Sequence, residues 1–150
     1  MKIALITVNY NNSAATGRLI KSLEAQSDRD FELMVVDNAR ASQDRTSLKE
    51  IMASTDLTTR IHWSDVNGGF AAGSNIGMRF AFQQDVAWVA LVNNDAVAGQ
   101  EVIISLKQAL ARMPSAVVAL PLLEHGRTVR AGLVRWLSAT LPHAFDIPHS

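Results

Sequence analysis

The 150-residue sequence contains no cysteine and carries no net charge, since 14 basic residues balance 14 acidic ones. Without cysteine the chain cannot form a disulfide framework, a thiolate zinc site or a cysteine nucleophile. The balanced charge gives no basic surface of the kind that binds nucleic acid or an anionic membrane. No apolar run approaches the roughly 18 residues that a transmembrane helix needs, so any membrane contact is expected to be peripheral.

The composition that is present is that of an ordinary globular protein, with 48% hydrophobic and 19% charged residues. A chain of this length can bury roughly 70% of its unfolded surface and build a core without covalent staples. We predict one main domain over residues 1–123. Beyond it the pattern weakens, and residues 124–150 are predicted to be irregular.

Short apolar runs alternate with amphipathic stretches along the main domain. The runs predict strands and the stretches predict helices, because their apolar residues recur at strand and helix spacing respectively. The predicted strands are 3–8, 31–36, 61–63, 87–92 and 117–123, and the predicted helices are 14–26, 42–54, 70–82 and 100–112. This alternation predicts an α/β fold with a mostly parallel sheet and helices on both faces.

Three predicted strands end in polar clusters. Strand 87–92 is continuously apolar, which predicts burial on both faces. The clusters are Asn9 with Tyr10, Asp37 with Asn38, and Asn93 with Asn94 and Asp95. Each cluster alone is most simply a turn or a helix cap. Parallel strands end at one sheet edge, however, so the three should converge there and form a ligand site.

The residue types at this edge suit a nucleotide. A carboxylate such as Asp37 can accept a hydrogen bond from the imide N–H of uracil or thymine, and Tyr10 offers a ring for stacking. The first strand–helix turn lacks G-x-G-x-x-G, and no G-x-x-x-x-G-K-[ST] occurs, which disfavours hydride-transfer and P-loop enzymes. The glycine-rich segment 68–77 indicates either tight helix packing or close approach of a nucleotide.

Segments 7–11, 35–39, 67–77 and 93–95 together resemble the motifs of the family 2 glycosyltransferases, which have the GT-A fold. The resemblance covers residues 2–123 and looks most like bacterial members often called rhamnosyltransferase-like. It implies that Asn9 and Tyr10 belong to the first nucleotide-contacting loop and that Asp37 recognises the base. It also implies that Asn67 and Asn75 lie beside the nucleotide.

Residues 93–95 resemble the family's D-x-D motif, with Asn93 in place of the first Asp. The resemblance implies that Asp95 ligates a divalent metal bridging the diphosphate, with Asn93 and Asn94 beside the nucleotide. Replacing a carboxylate by an amide lowers the negative charge, so the metal is expected to bind only together with nucleotide. Mg²⁺ suits such a site, and Mn²⁺ has the same oxygen preference.

The implied activity is transfer of a sugar from a UDP- or dTDP-sugar to an acceptor hydroxyl, with inversion. The acceptor would be a saccharide or lipid-linked saccharide, as in polysaccharide biosynthesis. A cytoplasmic location is expected, and any contact with a membrane is expected at its inner face. The transfer needs a general base, but Glu101, Glu124 and Asp146, the acidic residues that follow Asp95, stand in no family motif.

The chain is shorter than the family's usual catalytic domain, so we expect a truncated form in which 124–150 begins the acceptor side. Its uncovered apolar surface would then favour self-association. Two alternatives stay open. A non-catalytic nucleotide-sugar-binding or interaction module would bind donor without turnover. A nucleotidyltransferase would need a basic, glycine-rich phosphate loop, which residues 9–17 lack.

Overall fold

The computed structural model describes residues 1–112, 122–124 and 127–129. The chain divides into two compact units, Met1–Ser105 and Leu106–Ser150. The first unit contains, in order, β1 (Ile3–Asn9), α1 (Ser13–Glu24), β2 (Phe31–Asp37), α2 (Ser42–Ser54), β3 (Thr59–Trp63), α3 (Gly69–Phe82) and β4 (Trp88–Leu91). Helix α4 (Val102–Arg112) begins in the first unit and ends in the second, which also contains the antiparallel pair β5 (Leu122–Glu124) and β6 (Arg127–Val129).

The first unit is built on a four-stranded sheet in the order β3-β2-β1-β4, and every pair in it is parallel. Ile3 pairs with Phe31 and Asn9 with Asp37, so β1 and β2 end level with each other. The predicted α/β fold with a parallel sheet is confirmed.

Helices cover both faces of this sheet because side chains alternate along β1. Ile6 points towards α3, in a buried cluster with Met34 of β2 and Ala81 of α3. Asn9 lies on the opposite face, where it contacts Thr16 of α1 and Asp44 of α2. The predicted helices on both faces are therefore confirmed.

Strand β4 is the outer strand of the sheet as far as the structure describes it, and it pairs only with β1. Its residues are half-buried or exposed, and Leu91 is 48% exposed. The prediction that this strand is covered on both faces is wrong within the described residues, because every residue of β4 keeps exposed surface there.

The predicted fifth strand, 117–123, lies mostly outside the described residues. Its last residues, Leu122 and Leu123, pair with β6 in the antiparallel hairpin. The predicted irregular region, 124–150, also lies outside the described residues apart from Glu124 and Arg127–Val129. The boundary predicted after residue 123 stays a prediction.

Helix α3 packs tightly against β1 through two glycines on one face. A Cβ at Gly73 would come within 2.9 Å of both methyl carbons of Val8, and a Cβ at Gly77 would overlap the Ile6 side chain. Of the two interpretations of segment 68–77, tight helix packing therefore holds for Gly73 and Gly77.

Gly77→Ala should destabilise the protein by about 1–2 kcal/mol. An overlap this close should cost the upper part of the overpacking range, about 2–3 kcal/mol, and the better helix propensity of alanine offsets about 1 kcal/mol of that loss. Urea unfolding measures the free-energy change. Gly99→Ala is the matched control, because nothing lies within 4 Å of its added Cβ. An unchanged unfolding midpoint for Gly77→Ala would contradict the packing described here.

No helix in the described part of the chain is long and apolar enough to cross a membrane.

Candidate functional site

The carboxyl ends of the parallel strands bring the predicted polar residues together at one edge of the sheet. Asn9 pairs in register with Asp37, and its amide nitrogen donates to an Asp37 carboxylate oxygen at 2.8 Å. On the β3 side, Trp63 lies beside Asp37. On the β4 side, Asn94 donates to Thr16, which in turn donates to Asn9. The convergence predicted from the strand ends is confirmed.

Asp37 is fully buried at 0% exposure, and both carboxylate oxygens have donors. The oxygen that faces Asn9 also accepts the Ala39 N–H at 3.1 Å. The other accepts Nε of Arg45 at 3.0 Å. Arg45 also donates to the Ser64 carbonyl, and its guanidinium lies 5.6 Å from the centroid of the Trp63 ring. Contact between Asp37 and a base stays a prediction. It would require a buried Asp37 carboxylate oxygen to accept a further hydrogen bond, from the N–H of the base.

Asp44 ties the start of α1 to the end of β1. Its carboxylate accepts the Ser13 N–H at 2.8 Å and the Asn9 amide at 2.9 Å. Burial by itself would raise the pKa of Asp44, but these hydrogen bonds outweigh burial and hold the pKa below its ordinary value of 3.8. The negative charge also lies at the N-terminus of a helix, where the helix dipole favours it.

The lowered pKa of Asp44 predicts a stability that falls in acid. A carboxyl with a depressed folded pKa contributes stability that is fully present above its unfolded pKa and lost as pH falls through the folded pKa. The free energy of unfolding of the wild type should therefore fall more steeply below about pH 4 than that of Asp44→Asn. Urea unfolding across this range tests it, with the exposed Asp85→Asn as control. Parallel pH profiles for Asp44→Asn and the wild type would contradict it.

The loop between β1 and α1 leaves Tyr10 at the surface. Tyr10 is 52% exposed, and the following residue, Asn11, has a positive φ of 48°. Asn12 then caps α1 by accepting the Ala15 N–H at 3.3 Å. Because the chain turns here within three residues, the Tyr10 ring is accessible as a stacking surface beside the buried Asn9.

Asn67 lies in the loop just before α3 and Asn75 lies in the middle of that helix, and both are exposed. The Asn67 side chain accepts the Gly69 N–H at 2.9 Å, and Gly69 has a φ of 77°, which favours glycine. The nearly buried Asn38 donates to the Gly69 carbonyl at 3.0 Å. In the described part of the chain neither Asn67 nor Asn75 hydrogen-bonds to the other predicted site residues. Their proximity to a nucleotide stays a prediction.

Residues 93–95 form a short turn after β4. The Asn93 carbonyl accepts the Ala96 N–H at 3.1 Å, which agrees with the turn interpretation. Asn93 and Asp95 are exposed, whereas Asn94 is half-buried and donates to Thr16 at 3.2 Å. The turn therefore anchors one amide and presents the Asp95 carboxylate to solvent.

Among residues 1–112, 122–124 and 127–129, no three Asp, Glu or His side chains are placed to hold a metal ion. Asp95 therefore offers one carboxylate and no preformed cage. Mg²⁺ commonly keeps several waters and takes one or two carboxylates plus substrate phosphates. A single exposed carboxylate is suited to a metal ion that is already bound to a diphosphate. It supplies too few ligands to bind a free metal ion tightly.

The sequence patterns alone do not single out Thr16, Asp44 and Arg45, although the structure places all three at this edge. Each lies in the first turn of a helix that directly follows a strand end. That position is the signal available in the sequence, because the first turn of the following helix lies next to the edge where the strand ends.

The sequence matches the model of Glycosyl transferase family 2 over residues 4–139. No curated protein matches it significantly. S. aureus TarS 1-349 in complex with UDP-GlcNAc is 22% identical with a TM-score of 0.63, over 75% of this chain and 32% of that one. The mannosyltransferase PcManGT from Pyrobaculum calidifontis, in complex with GDP-Man and Mn²⁺, is 19% identical with a TM-score of 0.64, over 73% of this chain and 32% of that one.

A further structure of TarS has a TM-score of 0.62, and the match covers 20% of its chain. The chain thus spans about a third or less of the length of these three solved structures. At such low identity they show the fold, and they confirm the GT-A architecture. The family model, in contrast, covers most of the 150 residues. The chain therefore belongs to glycosyl transferase family 2.

Proposed function

We propose that the chain forms the donor-binding part of an enzyme that transfers a sugar from a UDP- or dTDP-sugar to an acceptor hydroxyl with inversion. The observation that carries the proposal is that hydrogen bonds link the carboxyl ends of neighbouring strands at one edge of the sheet. At this edge the exposed Tyr10 follows β1 and the exposed Asp95 follows β4. Such an edge can hold a base at one side and a diphosphate at the other. Membership of the family supports this proposal, as do the complexes of TarS with UDP-GlcNAc and PcManGT with GDP-Man.

In this proposal the base stacks on Tyr10, whose ring is accessible. Asn9, the residue before Tyr10, and its partner Asp37 are buried at the same strand ends, and Asp37 contacts the base once an oxygen is reachable. Asn67, in the loop before α3, and Asn75, in α3, border the nucleotide. Asn93 and Asn94 border it from the turn after β4.

Asp95 would hold Mg²⁺ or Mn²⁺ in this proposal. When bound, the ion would stabilise negative charge on the departing diphosphate. Water and phosphate oxygens would complete its coordination, because Asp95 is the one carboxylate of residues 93–95 and Mg²⁺ commonly takes one or two carboxylates plus phosphates.

The transfer forms a bond between the acceptor oxygen and the anomeric carbon, on the face opposite the diphosphate. The bond between that carbon and the diphosphate oxygen breaks, and the hydroxyl proton passes to a general base. Glu101 is exposed just before α4, and the side chains of Glu124 and Asp146 lie outside the described residues, so the base is not assigned. We place a saccharide or lipid-linked acceptor against region 124–150, in a cytoplasmic protein at the inner face of a membrane.

Isothermal titration calorimetry with UDP-, dTDP- and GDP-sugars, each with and without Mg²⁺ or Mn²⁺, tests the donor site. We expect a uridine or thymidine donor to bind, and to bind more tightly with metal. Failure of every nucleotide to bind under either condition would overturn the proposal. Preference for a GDP-sugar would overturn the assignment of the base.

A product assay distinguishes the two alternative functions. Release of nucleoside diphosphate with an acceptor present indicates glycosyl transfer, whereas release of pyrophosphate indicates a nucleotidyltransferase. Donor binding without either product indicates the non-catalytic module. The alternatives are thereby separated by products and not by affinity.

A further inference from the structure

A continuous chain of side-chain hydrogen bonds crosses all four strand ends at the site. Its order follows the spatial order of the strands, β3-β2-β1-β4. From the carbonyl that follows β3 to the turn that follows β4, the members are Ser64, Arg45, Asp37, Asn9, Thr16 and Asn94. The chain therefore links the base side of the proposed site to the turn that carries Asp95.

Two carboxylates, Asp37 in this chain and Asp44 beside it, determine the orientation of Asn9. A carboxylate can only accept hydrogen bonds, so the Asn9 nitrogen must face Asp37, at 2.8 Å, and Asp44, at 2.9 Å. The Asn9 oxygen is then left for Thr16, whose hydroxyl lies 2.9 Å away and must donate to it. The orientation of this amide follows from its partners and does not depend on observing a hydrogen.

The hydrogen-bond partners of Thr16 likewise determine the orientation of Asn94. A threonine hydroxyl has one proton, and the Thr16 proton is donated to the Asn9 oxygen at 2.9 Å and, at the longer distance of 3.4 Å, to the Asn12 carbonyl. The oxygen of Thr16 must therefore accept from the Asn94 nitrogen, 3.2 Å away. This arrangement leaves the side-chain oxygen of Asn94 as the atom that can accept from a ligand.

Thr16 is suited to this task because it cannot turn towards water. It is 0% exposed, on the face of α1 that packs against the sheet. Asn94 is half-buried, in a turn after β4, whose one neighbour among the described residues is β1. In the described part of the chain its side chain has no other hydrogen-bond partner, so loss of the Thr16 hydroxyl would free the amide to rotate.

We propose that Thr16 is a positioning residue of the donor site, whose hydroxyl directs the Asn94 oxygen towards a hydroxyl of the nucleotide sugar. This inference rests on the proposed function, because it needs a nucleotide beside Asn94. Thr16 itself touches no ligand and acts through Asn94.

Thr16→Val removes the hydroxyl while keeping the shape of the side chain, and Thr16→Ser restores the hydroxyl. We expect Thr16→Val to weaken UDP-sugar binding about fivefold to tenfold, the effect of about one hydrogen bond, and Thr16→Ser to bind within about twofold of the wild type. Calorimetry measures both. Thr46→Val is the matched control, because the exposed Thr46 bonds only to the carbonyl one turn earlier in α2.

A double-variant cycle separates positioning from general destabilisation. If Thr16 acts through Asn94, Thr16→Val should have little further effect on affinity in an Asn94→Ala background. Additive losses of affinity, or equal losses for Thr16→Val and Thr16→Ser, would overturn the inference. If the wild type binds no nucleotide at all, the proposed function itself fails. The two failures are therefore distinguishable.

The nucleotide-free wild type offers a second measurement, which holds even if Thr16→Val does not fold. In NMR spectra one of the two Asn94 side-chain N–H protons should exchange slowly with water, as expected for an amide proton bonded to Thr16. Rapid exchange of both protons would overturn the inference.

Discussion

Asp95→Asn should abolish the increase in nucleotide affinity that Mg²⁺ or Mn²⁺ provides, and it should lower sugar transfer about 100-fold or more. The physical reason is the isolation of this carboxylate. Asp95 is exposed on the turn after β4, its neighbours in the motif are amides, and no acidic cluster within the described residues can replace it. Binding of nucleotide without metal should change little, because the base contacts proposed at Tyr10 do not involve Asp95.

Calorimetry with UDP, with and without Mn²⁺, measures the first part of this prediction, and release of nucleoside diphosphate measures the second. The control is Asp65→Asn, which removes an exposed carboxylate from the loop after β3 and so makes the same change in net charge. Unchanged metal dependence in Asp95→Asn, or an equal loss in Asp65→Asn, would contradict the role of Asp95.

Arg45→Met should lower the free energy of unfolding by about 3 kcal/mol, the lower end of the range for breaking a buried ion pair. The substitution leaves the fully buried Asp37 carboxylate without its cation. It also removes the hydrogen bond to the Ser64 carbonyl and the contact with the Trp63 ring. We take the lower end of the range because the Arg45 side chain is 30% exposed.

Arg29→Met is the matched control for this experiment. Arg29 pairs with Asp56 through two hydrogen bonds at the surface, where ion pairs contribute little. Adding Asp37→Asn to Arg45→Met should recover stability, because it removes the uncompensated charge. A loss for Arg45→Met no larger than for Arg29→Met would contradict the buried pair.

The double variant also tests how Asp37 acts in the site. If Asp37 contacts the base, Asp37→Asn with Arg45→Met should fold and lose affinity for uridine nucleotides. If Asp37 only supports the strand ends, the folded double variant should retain most of that affinity. Calorimetry with UDP distinguishes the two roles.

The parallel direction of the strands follows from the sequence because it depends on periodic patterns. Helix α2 spans Ser42–Ser54, the range that its spacing predicts, and parallel strands follow from the alternation of strands and helices. The convergence of Asn9, Asp37 and Asn94 is predictable for the same reason, because parallel strands end at one edge.

The position of β4 at one side of the described sheet could not be predicted. An apolar run indicates that its side chains can be buried, but it does not indicate which strands lie beside it. The enclosure of Asp37 could not be predicted either. A carboxylate is buried only with partners, and its partner Arg45 is identified by the packing of α2 on the sheet. The hydrogen bond between Thr16 and Asn94 joins residues that are 78 positions apart in the sequence. Periodic patterns within a helix or strand cannot predict a contact between residues so far apart.

We propose that the carboxyl edge of this sheet binds a nucleoside diphosphate through Tyr10 and a metal at Asp95. A crystal structure of the chain with UDP and Mn²⁺, with manganese located by its anomalous scattering, tests both contacts at once. We expect a manganese peak in direct contact with an Asp95 oxygen and with the diphosphate, and a uracil ring stacked on Tyr10. A nucleotide bound at any other surface, or manganese bound to diphosphate away from Asp95, would contradict it.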